Sequence, residues 1–119
     1  MDVIIYHNPR CSKSRATLEL LRDRGVEPLI IHYLDTPPAA DRLAELAARL
    51  GLEARGMLRT GEPLWVSLGL DAATASPELL FQTMAEHPAL IQRPIVVVGD
   101  RARIGRPPEA VLELFQARC

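Results

Sequence analysis

The chain has few cysteines, almost no lysine and no long apolar run, and each shortage removes a class of protein. Its 119 residues include two cysteines, Cys11 and Cys119, too few for the disulfide framework of a small secreted scaffold, so a reducing compartment is expected. No stretch of about 18 apolar residues is present to span a bilayer. The start, Met1-Asp2-Val3, has neither the basic segment nor the apolar core of a signal peptide. A cytoplasmic protein with no membrane partner is the expectation. A formal net charge of -1 leaves no bulk electrostatic footprint for nucleic acid, so no nucleic-acid partner is expected either. Lys13 is the only lysine. A coding bias would produce that without function, so Arg22, Arg24, Arg42, Arg49 and Arg118 are read as solvated groups on helix faces. Repeats, low-complexity tracts and linkers are absent, and the length suits one domain with its own core. A monomer is expected.

What is present is a regular alternation of strand and helix. Val3-Ile4-Ile5-Tyr6 reads as a buried strand, and Ala16 to Leu21 as the body of a helix with one apolar face. Arg24-Gly25 supplies a cationic last turn and a C-cap glycine, and Pro28 to Tyr33 reads as a second buried strand. Asp35-Thr36-Pro37-Pro38 breaks the chain before a helix from Asp41 to Leu50, closed by Gly51. From Glu53 to Pro77 the pattern is mixed, with helical pieces at Ala54–Leu58 and Trp65–Leu70 and a turn at Thr60-Gly61-Glu62-Pro63. A helix over Pro77–Glu86 with Ser76 as N-cap follows. Pro94 to Val98 is the most β-like stretch of the chain. Gly99-Asp100 turns it into a short strand, Ala102–Gly105, and Pro107-Pro108 starts a last helix ending near Ala117. The order β-α-β, helical insert, β-β-α is the layout of a thioredoxin-like α/β domain, with a mixed sheet flanked by helices. The expectation is one domain over residues 1–119 with the insert at about 40–90.

The chemistry gathers at the first strand-to-helix turn, His7-Asn8-Pro9-Arg10-Cys11-Ser12-Lys13-Ser14-Arg15. Unpaired amides at a helix N-terminus carry partial positive charge and favour thiolate over thiol at Cys11, and Arg10, Lys13 and Arg15 add cationic charge. Ser14 holds the place of a second cysteine in a Cys-x-x-Cys pair. A mixed species on Cys11 must therefore be resolved by an external thiol or by Cys119. Thr17 stands where a phosphatase-type Cys-x5-Arg loop would place its arginine. Three arginines sit at breaks in the pattern: Arg59 before Thr60-Gly61, Arg93 before Pro94 and Arg106 before Pro107. Guanidinium forks are natural ligands of tetrahedral oxyanions. The Arg93-Pro94 bond is a candidate cis peptide beside a thiol site. His7 has two roles open to it, stabilising a thiolate as imidazolium or hydrogen-bonding the turn. Asn8 and Ser14 can donate to a thiolate or a bound anion, or cap the helix. His32 and His87 are read as structural. The histidines, carboxylates and cysteines show no metal-ligand spacing, so no metal is expected.

His7-Asn8-Pro9-x-Cys11-x-x-Ser14-Arg15, with Leu58-Arg59, Arg93-Pro94-Ile95-Val96-Val97 and Arg106-Pro107, resembles the glutaredoxin-coupled arsenate reductases over essentially the whole chain. Ile31-His32-Tyr33-Leu34 before Pro37-Pro38, and His87-Pro88, follow the same order. The resemblance implies a thioredoxin-like fold with a helical insert. It implies Cys11 as nucleophile, with His7 near the thiol and Ser14 supporting it, and Arg59, Arg93 and Arg106 as oxyanion ligands. Arsenate would be the substrate and arsenite the product. Glutathione would be a cosubstrate and glutaredoxin a partner, with no bound cofactor. Two other classes stand beside it: a noncatalytic regulator of the same fold, against which Ser14 argues, and a glutathione-linked thiol-disulfide oxidoreductase, which needs no third oxyanion ligand at Arg106.

Overall fold

Val3–His7 form strand β1 and Ser12–Asp23 helix α1, in a computed structural model that describes residues 2–116. The expectations placed on Ala117, Arg118 and Cys119 lie outside the described residues. Helix α1 buries Ser14, Thr17, Leu18 and Leu21, a face spaced at helical period in which two of the four side chains carry hydroxyls. Gly25 ends it at φ 78°, and the Val26 amide returns to the Leu21 carbonyl at 2.9 Å. Strand β2 is Leu29–His32, β3 is Ile95–Val98 and β4 is Arg101–Ile104. The sheet order is β2-β1-β3-β4, with β1 parallel to β2 and antiparallel to β3, and β3 antiparallel to β4. This is a mixed sheet of the thioredoxin-like α/β class.

The chain divides into two compact units: one built from the chain up to Thr36 and from Arg93 onward, the other from Pro37–Gln92. In the first, Val3, Ile5, Val96 and Val98 of the sheet pack with Leu18 and Leu21 of α1 and with Val111 and Leu114. The register explains this face, since Ile5 pairs Ile30 on one side and Val96 on the other. By period-2 alternation the same face ends in His7, and the register sets His32 beside it. The second unit holds α2 (Ala40–Leu50), α3 (Pro63–Leu68), α4 (Pro77–Glu86) and two 3₁₀ turns, Ala54–Met57 and Pro88–Leu90. Ser76 caps α4, accepting the Leu79 amide at 3.2 Å.

Two expectations need correction. β2 is not a buried strand: Leu29 is 63% exposed and His32 is exposed, because β2 lies at the sheet edge. The closing segment, Pro108–Phe115, is a 3₁₀ run rather than an α-helix. Its buried residues Val111 and Leu114 lie three apart, the 3₁₀ repeat.

The end of that run is held from β4. Arg101 donates from Nη2 to the Glu113 carbonyl at 2.7 Å and from Nη1 to the carbonyls of Gln116 at 3.2 Å and Leu114 at 3.4 Å. Terminal helical carbonyls have no partner of their own, and the guanidinium supplies one. Arg101→Ala should lower stability in urea by about 1–2 kcal/mol, below the full value of buried charge-assisted bonds because the side chain is partly exposed. An unchanged midpoint would show that water replaces the guanidinium at no loss.

Candidate active site

The turn between β1 and α1 is closed by its own hydrogen bonds. The Cys11 amide donates to the Asn8 carbonyl at 3.0 Å, and Asn8 Oδ1 accepts the Arg10 amide at 3.0 Å. Arg15 Nη1 reaches back to the Pro9 carbonyl at 2.9 Å. Asn8 thus acts as a turn former through its side chain, as Asn commonly does. Cys11 is the N-cap of α1, with extended backbone (φ -94°, ψ 124°) and a carbonyl that accepts the Arg15 amide at 3.0 Å. Its side chain makes no capping bond, and no acidic residue lies in the first turn. Sγ, half-buried, is therefore set at the positive end of α1 with nothing anionic from that helix turn to neutralise it.

Ser14 faces inward. Its fully buried hydroxyl accepts the Asn8 amide at 3.0 Å and is hydrogen-bonded to His7 Nδ1 at 2.6 Å. His7 is itself buried and meets the His32 ring edge-on, with centroids 5.9 Å apart. Burial, then the neighbouring His32, Arg22 and Arg15, push the His7 pKa below its ordinary 6.5. Of its two open roles, the structure favours hydrogen bonding to the turn over an imidazolium, since burial and the neighbouring cations disfavour the charged ring. His32, read as structural from its surroundings in sequence, is brought beside it by strand register.

Two of the three arginines belong to this unit. The Arg93–Pro94 and Arg106–Pro107 peptide bonds are both cis, the second unforeseen from the sequence. Arg106 donates from Nε to the Arg93 carbonyl at 2.8 Å, and its Nη2 lies 3.9 Å from Cys11 Sγ. One nitrogen is thus anchored on backbone while another faces the sulfur. Arg93 Nε is buried without a hydrogen-bond partner among the described residues. A guanidinium donor left so is costly unless an acceptor arrives. Arg59 belongs to the second unit, where Leu58 bridges Ile91, the Arg59 amide donates to the Leu90 carbonyl at 2.7 Å, and its guanidinium pairs with Glu62.

A cavity of about 330 Å³ borders the thiol turn, lined by His7, Asn8, Pro9 and Arg10 together with His32 and Asp35. A larger one of about 520 Å³ lies in the second unit between alanine-rich walls with Leu52, Leu80 and Phe81. Neither cavity has Cys11 in its lining, but the smaller is walled by the turn that leads to it and by both His7 and His32, so the chemistry points to the smaller. Among the described residues no group of three or more His, Cys, Asp or Glu is placed to hold a metal. No helix among them is long and apolar enough to cross a membrane.

Fold and site together define a thioredoxin-like protein with a single thiol at the head of its first helix, faced by an anchored guanidinium. The chain belongs to the ArsC family, whose model matches residues 6–114. It is 51% identical over 116 residues to the arsenate reductase of Haemophilus influenzae, covering 97% of this chain and 100% of that one. It is 46% identical over 114 residues to the arsenate reductase of Escherichia coli K12, covering 96% and 81%. The structure of an arsenate reductase from Vibrio cholerae matches with a TM-score of 0.93 at 53% identity, covering 96% of this chain and 98% of that one.

The lowered His7 pKa has a thermodynamic consequence. Folding disfavours the protonated ring, so the contribution is fully present above the unfolded value of 6.5 and is lost as pH falls below it toward the folded value. Stability measured by urea unfolding should fall between pH 7 and pH 5.5. His7→Gln, which keeps an acceptor for Ser14 but cannot titrate, should flatten that slope. Equal slopes in the two proteins would place the titration elsewhere.

Proposed function

We propose that this chain is an arsenate reductase in which Cys11 is the nucleophile and thiols supply the electrons. The observation that carries the reading is Arg106 Nη2 held 3.9 Å from Cys11 Sγ by its anchor on the Arg93 carbonyl. A cation fixed there favours thiolate attack on a tetrahedral oxyanion, since its charge lies where charge accumulates in the transition state. The buried, unpartnered Nε of Arg93 supports a second ligand role. Arg59 is assigned one on its place before Thr60-Gly61 and on the family resemblance. Membership of the ArsC family, and the names carried by its relatives, point to arsenate as the anion.

In this reading the Cys11 thiolate bonds to pentavalent arsenic, and one arsenate oxygen leaves as water after protonation. Glutathione then forms a second sulfur–arsenic bond, and a second arsenate oxygen leaves as water with the thiol proton. Glutaredoxin then attacks the glutathione sulfur; the sulfur–arsenic bond breaks and its electron pair stays on arsenic, which becomes trivalent. Hydrolysis releases arsenite and restores Cys11. Two external thiols end as one disulfide for each two-electron reduction, so the balance needs no resident cofactor. His7 and Ser14 act by holding the turn that presents Sγ, and Asn8 by shaping it.

The reading is tested by arsenite formation with glutathione and glutaredoxin, with glutathione alone, and with a thioredoxin system. Turnover is expected in the first. Turnover only with thioredoxin would replace the electron donor, and turnover in none would remove the assignment. Cys11→Ser should abolish it with the fold intact. Arg106→Ala should lower it on the order of 10²- to 10³-fold, and Arg106→Lys should recover only part, because a point charge lacks the planar two-donor fork. If both variants lost exchange on a glutathione mixed disulfide equally, Arg106 would support the fold and not the anion. Cys119→Ser is expected to leave turnover unchanged. A trapped Cys11 adduct in that variant would make Cys119 the resolving thiol.

A further inference from the structure

Gly105 is buried at the end of β4, directly before Arg106, and its φ is not in the left-handed region, so backbone conformation does not call for glycine there. Space does. A Cβ on Gly105 would overlap Thr17 Oγ1, stand 2.8 Å from Pro94 Cγ and 3.1 Å from Thr17 Cγ2. Neither neighbour yields freely. Thr17 is fully buried on α1 with its hydroxyl donating to the Lys13 carbonyl at 2.8 Å, and Pro94 is a buried rigid ring. Nor can Gly105 back away at no loss, because its amide donates to the Pro94 carbonyl at 2.9 Å. The next residue carries the consequence: the Arg106 amide donates to the Ile104 carbonyl at 2.9 Å, its Nε to the Arg93 carbonyl at 2.8 Å, and its Nη2 faces Cys11 Sγ at 3.9 Å.

We propose that Gly105 is a positioning residue for the thiol centre: its missing side chain lets the end of β4 close against Thr17 and Pro94, and that contact sets the Arg106 guanidinium beside Cys11. This rests on the reading of Arg106 as the cation that serves the Cys11 reaction. A methyl at position 105 acts as a wedge between α1, which carries Cys11 at its head, and the backbone that carries Arg106. The thiol and the guanidinium separate while both side chains remain present.

The test is competitive alkylation of the full chain with iodoacetate and iodoacetamide, read at the Cys11 peptide by mass spectrometry. Both reagents consume the same thiolate, so their rate ratio reports a nearby cation rather than the thiolate fraction. Arg106→Ala should lower the iodoacetate preference roughly fivefold, the attraction of one unit charge pair near 4 Å in water. Gly105→Ala should lower it to nearly the same value, and adding Arg106→Ala to it should change nothing further. Thr17→Ala in the Gly105→Ala background relieves the threonine contacts but not Pro94, and should recover part of the ratio.

A folded Gly105→Ala protein with the wild-type ratio overturns the proposal. So does a further drop when Arg106→Ala is added, which would make the two effects independent. Should Gly105→Ala fail to fold, the Thr17→Ala/Gly105→Ala protein decides. An intermediate ratio that falls to the Arg106→Ala value on removing Arg106 supports the role, and a wild-type ratio overturns it. Arsenate reduction measured in parallel separates the two readings. A wild type that reduces no arsenate but shows these ratios removes the proposed reaction alone, whereas an active wild type whose ratio ignores position 105 removes the positioning role alone.

Discussion

The buried hydroxyl of Ser14 is the contact on which the head of the first unit depends. It sits on the third residue of α1 and binds both the last residue of β1, through His7 Nδ1, and the first residue of the turn, through the Asn8 amide. Strand and helix are thereby joined across the segment that carries Cys11. Without that hydroxyl, the buried His7 ring and the half-buried Asn8 amide lose a partner at once, at a cost of about 1–3 kcal/mol for the ring and less for the amide. The lowered pKa of His7 belongs to the same setting. An imidazolium there would be buried beside Arg15, Arg22 and His32, all of which disfavour it.

Much of this is legible in the amino-acid sequence. β1, α1 and β3 announce themselves through apolar runs and helical spacing, Gly25 and Gly51 through the left-handed ends they provide, and Cys11 through its place between strand and helix. The buried face of α1 was only half legible. Ser14 and Thr17 count as polar in any apolar pattern, yet both are fully buried because each finds a hydrogen-bond partner within the fold. β2 shows the opposite error. Leu29-Ile30-Ile31 has the composition of a central strand, but sheet order is a tertiary property, and at the edge Leu29 stays in solvent. Gly105 carries no local signal at all. Its need for glycine comes from Thr17 and Pro94, residues distant in sequence.

The arginines divide by what orients them. Arg22, Arg42 and Arg55 pair with Glu27, Glu45 and Glu53 on the surface, contacts that contribute little because solvent screens both partners. Arg101 and Arg106 are instead aimed by backbone carbonyls, which have one fixed position and no entropy of their own to lose. Arg101 uses both terminal nitrogens on backbone carbonyls and is structural. Arg106 uses one nitrogen and keeps another facing sulfur. A carbonyl-rich turn can fix a guanidinium in a way that an exposed helix face cannot.

The same Ser14 also constrains the redox chemistry. In a dithiol oxidoreductase the residue three places after the nucleophile must turn its sulfur toward the first thiol and let it go again. Here that place is occupied by a hydroxyl directed at His7 and Asn8, and the strand-to-helix joint depends on its staying there. A second thiol at position 14 would have to serve as both joint and leaving group, and a weak sulfur hydrogen bond cannot hold a buried imidazole and a half-buried amide as an oxygen does. Holding the turn rigidly and carrying a local dithiol are thus competing demands on one position. With the joint favoured, the Cys11–Ser14 segment has no second thiol to offer. Cys11 itself is half-buried and the facing Arg106 is exposed.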